Sequence, residues 1–352
     1  MKEDLETWIT GIGLVWPGGD SIGDFVRGLG DPPPLAKPIW GGASGFTIDD
    51  AALHDRLQPA QRRRMDRIAQ MTTVAVGLAL DDAGITSSRA DVGLFMDTAF
   101  GSAHTVVRIM DGVLGPEAVV SPLLFPGVVA NHAAGQACIA YGLRGPSSTF
   151  GALGALLGAN LLLARGACAQ AVVVGADEVV PLIVQAMMSV GVLEGGAVRV
   201  GEAACAVVLE TADAARSRGR VPLARLGEVH MASDPAFHLD RGDAFGHMAL
   251  HSVLQQTGTA TEWIVSAGNG SRTLARREAA ALGKQLGRIP VSTPKGRTGE
   301  TFGAAAIIAV ATAAEVLAGR SAAPRVANPS SALVLAQDAT RGQALSALVQ
   351  RA

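Results

Sequence analysis

Apolar and polar positions alternate along this chain in short blocks. Trp8-Ile9-Thr10-Gly11-Ile12-Gly13-Leu14-Val15 reads as a buried strand running into a Gly18-Gly19 turn, and Asp31-Pro32-Pro33-Pro34 forbids regular structure after it. Arg67 to Ala83 places Ile68, Met71, Val74, Ala75 and Leu78 at helical spacing, with Gly84 as a stop. Val92–Met96 predicts a strand, 131–141 a small-residue helix broken by Gly142–Pro146, and the apolar run 152–164 a buried helix. Ala171–Gly175 and Ala204–Leu209 are β-branched runs of the kind covered on both faces. The pattern then restarts. Strands are predicted at 223–229, 263–267 and, last, 332–336, with helices at 245–256, 276–286 and within 299–319. Alternation of this sort predicts an α/β protein with largely parallel sheet. Its two halves, 1–211 and 212–352, suggest a duplication.

Composition narrows the class. The 352 residues are 49% hydrophobic and 17% charged, which excludes intrinsic disorder. A net charge of −2 lacks the basic excess of a nucleic-acid binder. The 13 residues of 152–164 fall short of a bilayer span, which needs roughly 20, so no membrane insertion is expected. The start of the chain carries no apolar stretch behind basic residues, and the three cysteines (Cys138, Cys168, Cys205) form no C-x-x-C. A reduced, cytoplasmic protein is the expectation, without a metal site.

Several segments in order resemble the β-ketoacyl synthase family. These are Thr10-Gly-Ile-Gly-Leu-Val, Ser121–Pro126 with Asn131-His-Ala-Ala-Gly135, and Gly142–Thr149. Gly201–Glu210 and Ser292-Thr293-Pro-Lys295-Gly-Arg-Thr298-Gly299 complete the set. The resemblance runs from residue 8 to about residue 336 and implies a thiolase-like fold: a duplicated α/β/α/β/α layered architecture with two mixed sheets.

Members of that family use a cysteine nucleophile and two histidines, because acyl transfer needs a thiolate and N–H donors aimed at developing negative charge. The cysteine position falls on Gly154, which has no side chain to acylate. The first histidine position falls on Gly268, or on Asn269 if the turn shifts by one, and the second on Glu300. A glutamate further on falls on Ala309, and the family's Gly-rich gate before the last strand is replaced by Arg325–Ser331. Lys295 is retained, and an ion pair with Glu300 is the plain expectation for it. The three cysteines read as inert buried thiols, and none of the seven histidines matches an active position.

The Gly-Pro-Ser-Ser stretch and residues 274–282 resemble one branch, the chain-length factors, whose members commonly carry glutamine at the nucleophile position. The resemblance implies no catalytic residue of its own. It implies an active ketosynthase subunit as heterodimer or heterotetramer partner, and acyl chains arriving on the phosphopantetheine arm of an acyl carrier protein, with no resident cofactor. The tunnel or interface residues it implies are Gly101, Ala103, Leu124, Phe125, Val128 and Asn131. Arg62–Arg64 with Arg67 could dock the acidic carrier, although a solvated helix start is the usual meaning of such a run. Two alternatives stay open: an acyl-thioester transferase or hydrolase using Lys295, Glu300 and Asn269, and a homodimer that holds acyl chains unprocessed.

Overall fold

The computed structural model describes residues 6–40, 42–86, 89–116, 120–189, 191, 193, 198–234, 248–257, 261–266, 268, 270–285, 289–338 and 341–352. Ten strands form one sheet: β1 (Thr7–Val15), β2 (Gly93–Thr98), β3 (Ser147–Gly151), β4 (Gln170–Asp177), β5 (Ala203–Thr211), β6 (Ala224–Ser233), β7 (Trp263–Val265), β8 (Val291–Ser292), β9 (Ser331–Asp338) and β10 (Gln343–Gln350). The order is β8-β7-β9-β10-β6-β1-β5-β4-β2-β3. Counted outward from the centre, each half runs first strand, last, fourth, second, third. In both halves two antiparallel pairings are followed by two parallel ones. A ladder of three residue pairs, Thr7–Ile9 against Ala224–Leu226, joins the halves. A second sheet, of Lys37–Trp40, Ala43–Phe46 and Val200–Gly201, lies apart.

Strand alternation explains the layers. The helices that matter here are α1 (Arg67–Asp82), α2 (Ala103–Leu114), α3 (His132–Tyr141), α4 (Ala155–Ala164), α5 (Met248–Gln256), α6 (Arg272–Gln285) and α7 (Gly303–Leu317). On β4, Val172 and Val174 face α1 and α3, while Ala171 and Val173 face inward. On β9, Leu333 and Leu335 face α5 and α6, while Ala332 and Val334 face inward. The inward sets of both halves close on α4 and α7, which gives the layers α/β/α/β/α. α7 is buried from Gly303 to Leu317 except at Ala305, which fits a helix rich in Ala, Ile and Val and free of charge until Glu315.

Small residues set the spacing of the centre. A Cβ on Gly175 of β4 would collide with the Gly303 carbonyl, so the start of α7 presses directly on that strand. α1 starts at Asp66, whose carboxylate accepts from the Ala69 amide at 3.1 Å, and ends at Gly84 in the left-handed region, where glycine alone is unstrained.

Three elements depart from the sequence reading. β3, Ser-Ser-Thr-Phe-Gly, has no apolar run because it is the half-exposed edge of the sheet. Residues 332–336 do not form the last strand; β10 follows and pairs antiparallel with β9. Within 299–319 the helix begins only at Gly303, because Gly299 takes φ +73° and separates it from a single turn over Lys295–Thr298.

Candidate functional site

The parallel strands β2 and β4 end beside the N-termini of the two central helices, and each end carries an acid. Asp97 on β2 accepts from the Ala155 amide in the first turn of α4 at 2.8 Å, and the Gly154 amide lies against the same carboxyl. Asp177 ends β4 and accepts four bonds: Thr98 Oγ1 at 2.8 Å, Ala99 N at 2.8 Å, Phe100 N at 3.0 Å and Gly303 N of α7 at 2.8 Å. Both side chains are buried. Burial holds Asp97 well above the usual carboxylate range and Asp177 at about 6, while the amide donors pull each down.

Gly154 sits immediately before α4. Phe150 of β3 lies across it: a Cβ on Gly154 would be 2.8 Å from the ring, and a Cβ on Gly158, one turn on, 2.7 Å. The room a side chain at 154 would need is therefore taken. Lys295 and Glu300 meet at 2.8 Å with both side chains buried, and Glu300 also accepts from the Phe302 amide at 3.1 Å. Phe302 has φ +47°, strained for a bulky residue, and its ring meets Phe100 edge-on at 5.0 Å. Gly268 donates its amide to Ser266 Oγ at 2.9 Å, and Ser266 in turn bonds Glu278. Asn269 lies outside the described residues.

Three polar residues at this site, Asp97, Asp177 and Arg341, escaped the sequence reading. Arg341, in the turn between β9 and β10, donates to the Ala99 carbonyl at 2.8 Å and lies beside Gly151 at the end of β3. Because β10 is the last strand, the segment that precedes it is this turn. Arg325–Ser331, the expected gate, instead enters β9, and the gate position is corrected accordingly. The only signal for Arg341 was the second apolar stretch after the turn, Ala344–Val349.

The expected tunnel or interface residues cluster around α2. Gly101 is buried at φ +58°, Ala103 and Leu124 are half-buried, and Phe125, Val128 and Asn131 are exposed. Of the residues in α2 only Thr105 is buried, while Val106, Met110, Val113 and Leu114 face outward; α2 packs on the 122–127 turn, and that turn on α3. Phe125 and Val129, in and after that turn, and Ile139 on α3 are exposed as well, so apolar side chains face outward on all three of these neighbouring elements.

Carboxyls anchor the start of α2 beneath that face. Glu178 accepts from the His104 amide at 3.1 Å, and Thr105 donates to Asp66 at 3.0 Å. Burial, then the nearby Asp66 charge, pushes Glu178 to about 8. Arg67 is not free for a carrier protein, since it binds Glu202, Asp50 and the Ile48 carbonyl. Of the cysteines expected to be buried, Cys168 and Cys205 are, while Cys138 on α3 is half-buried because it lies on the outer side of that helix turn; burial raises all three thiols, Cys205 inside β5 the most. Among the described residues no His/Cys/Asp/Glu cluster could hold a metal ion, and no helix is long and apolar enough to cross a membrane.

The duplicated halves, the five layers and the site at the strand ends define a thiolase-like α/β protein. Residues 6–215 match the β-ketoacyl synthase N-terminal domain, and the chain belongs to the β-ketoacyl synthase family. It is 27% identical to a 3-oxoacyl-[acyl-carrier-protein] synthase 2 of Coxiella burnetii, over 89% of this chain and 85% of that one. It is also 27% identical to the tetracenomycin polyketide synthase ketoacyl synthase beta subunit of Streptomyces glaucescens, over 89% of this chain and 86% of that one. Among solved structures it resembles the ishigamide ketosynthase/chain length factor, with a TM-score of 0.86 and 18% identity over 99% of this chain and 100% of that one.

Proposed function

We propose that this protein is a non-catalytic, chain-length-factor-like subunit. It pairs with an active β-ketoacyl-ACP synthase and shapes the acyl tunnel in a type II polyketide, aryl-polyene or unusual fatty-acid pathway. The observation that carries the reading is Gly154: the nucleophile position has no side chain, and Phe150 fills its place. Lys295 is engaged with Glu300, which leaves it no free role as a base. The apolar face around α2 and the open edge of β3 supply a surface for a partner. Acyl chains would reach the pair on a carrier protein's phosphopantetheine arm, and this subunit would act on them by van der Waals fit alone.

Native mass spectrometry of the protein co-expressed with a ketosynthase that retains its Cys and two His residues tests the pairing; a one-to-one complex is expected. Isolated protein incubated with an acyl thioester should gain no acyl mass. A stable homodimer that ignores the ketosynthase, or acyl loading lost in Lys295→Ala, would overturn the reading.

A further inference from the structure

The ladder that joins the two halves ends at Ile9. From Thr10 onward β1 has β5 on one side and, among the described residues, no strand on the other. Side chains serve that open edge. Arg220 donates to the Thr10 carbonyl at 2.9 Å, and Asp82, the last residue of α1, accepts from the Ile12 amide at 2.9 Å. Beside this edge lies a cavity of about 520 Å³, walled by β1, the short helix Ile22–Arg27 and the ends of α1 and α7. It sits at the far end of α7 from Gly303 and Asp177, a helix length of about 22 Å away.

The wall has two characters. Ile12, Leu14, Ile22 and Leu78 make one side of it apolar. The other side carries Asp20, Asp82 and Glu315 against Arg27 and Arg320, three acids to two bases. Arg56 on Asp20 and Asp24 on Arg27 stand outside the wall and cancel one another. Two helices also end here with an acid and no base in the last turn: α1 at Asp82, and α7 two residues after Glu315. The negative end of a helix dipole disfavours an acid, so both ends favour a cation between them.

Arg320 supplies part of that charge. Its Nη1 lies 2.9 Å from Asp82 Oδ2 and its Nε 3.0 Å from Glu315 Oε2. Glu315 Oε1 accepts from Ser321 Oγ at 2.8 Å, but Oε2 receives no hydrogen bond, on a side chain only 3% exposed. A glycine keeps the space beside this acid open. Gly23 lies within the short helix, where alanine would be the better helix former. A Cβ on it would come 3.1 Å from Ser321 Oγ and 3.4 Å from Glu315 Oε1, so a side chain there would stand in the cavity.

We propose that this cavity binds a small organic cation, its ammonium among Asp20, Asp82 and Glu315 and its carbon body on the apolar side of the wall. The site is separate from the one at the strand ends, and it does not rest on the silent-subunit reading.

The probe is phenethylamine, which is charged at neutral pH. Phenethyl alcohol and phenylacetate share its ring and carry no charge or the opposite one. Isothermal titration calorimetry on the full chain follows all three. One phenethylammonium per chain should bind, about tenfold or more tighter than either control. Gly23→Leu, which fills the cavity, should abolish binding. Glu315→Gln should weaken it about tenfold, and Asp20→Asn, at the more exposed rim, about threefold. Circular dichroism melts report whether each variant folds; if Gly23→Leu does not, the two carboxyl variants decide. No saturable binding of phenethylammonium in the millimolar range overturns the proposal. So does equally tight binding of phenylacetate, or amine binding that every folded variant leaves unchanged.

Discussion

Asp97 and Phe150 are register partners in the parallel β2–β3 ladder, and both close on Gly154, the carboxyl at its backbone and the ring over its Cα. Gly154 is thus approached from two neighbouring strands. Phe150→Ala should lower stability by about 1–3 kcal/mol, since the ring is only half-buried and its removal opens a cavity along Gly154 and Gly158. Urea denaturation checks this, and an unchanged midpoint would mean the ring does not pack there in solution.

The buried Lys295–Glu300 pair joins the turn at 295–298 to the start of α7. Lys295→Ala leaves a carboxylate buried without its cation, and a loss of about 3–5 kcal/mol is expected. Lys295→Met combined with Glu300→Gln should cost less than Lys295→Ala alone, because it removes the charge on both sides. A double-mutant cycle by chemical denaturation measures the difference.

Stability should fall as pH rises from about 4.5 to about 8. Glu178 holds its proton to about 8 in the folded chain against 4.5 for the free side chain, and Asp177 to about 6 against 3.8. A raised folded value means that the contribution is complete below the unfolded value and is lost as pH climbs through the folded one. Glu178→Gln should flatten the upper part of that curve, between about 6 and 8, by on the order of a few kcal/mol. Thermal melts of both proteins across this range decide it; parallel curves would contradict the assignment.

Product length should respond to bulk at the start of α2. Ala103 is half-buried at the helix start, so Ala103→Trp in the ketosynthase complex should shorten the products, read as the mass distribution of released chains. Gly101→Trp should act differently. Its backbone sits at φ +58°, and a Cβ there would meet Ala130 Cα at 3.3 Å, so the main effect expected is destabilisation by about 1–3 kcal/mol.

Charges on the apolar face should break pairing and spare the monomer. Met110→Glu and Val113→Glu replace side chains that are 50% and 53% exposed, so the melting of the isolated chain should move little, by about 0.5 kcal/mol or less. Gel filtration with the ketosynthase should show loss of the complex; retention of the complex would place the interface elsewhere.

Local pattern by itself determined most of the strands, the helix expected over 67–83, a helix within 152–164 (though only Ala155, Leu156, Ala159 and Leu163 of it are buried) and the restart of the order after residue 211. Residue identity alone also settled that Gly154 carries no nucleophile and that Lys295 has a carboxylate five positions away. These are properties of short windows, where the spacing of apolar side chains or a single side chain's chemistry suffices. Tertiary structure decided the rest. β3 is a strand because it lies beside β2 at a sheet edge, and its polar sequence says nothing of that. Arg341 reaches Ala99 only because β9 and β10 pair and turn back across the site. Asp97 could be read as one polar residue ending an apolar run. Its place on the amides of α4 depends on a ladder register between strands fifty residues apart, and backbone pairing over such distances leaves no trace in either segment alone.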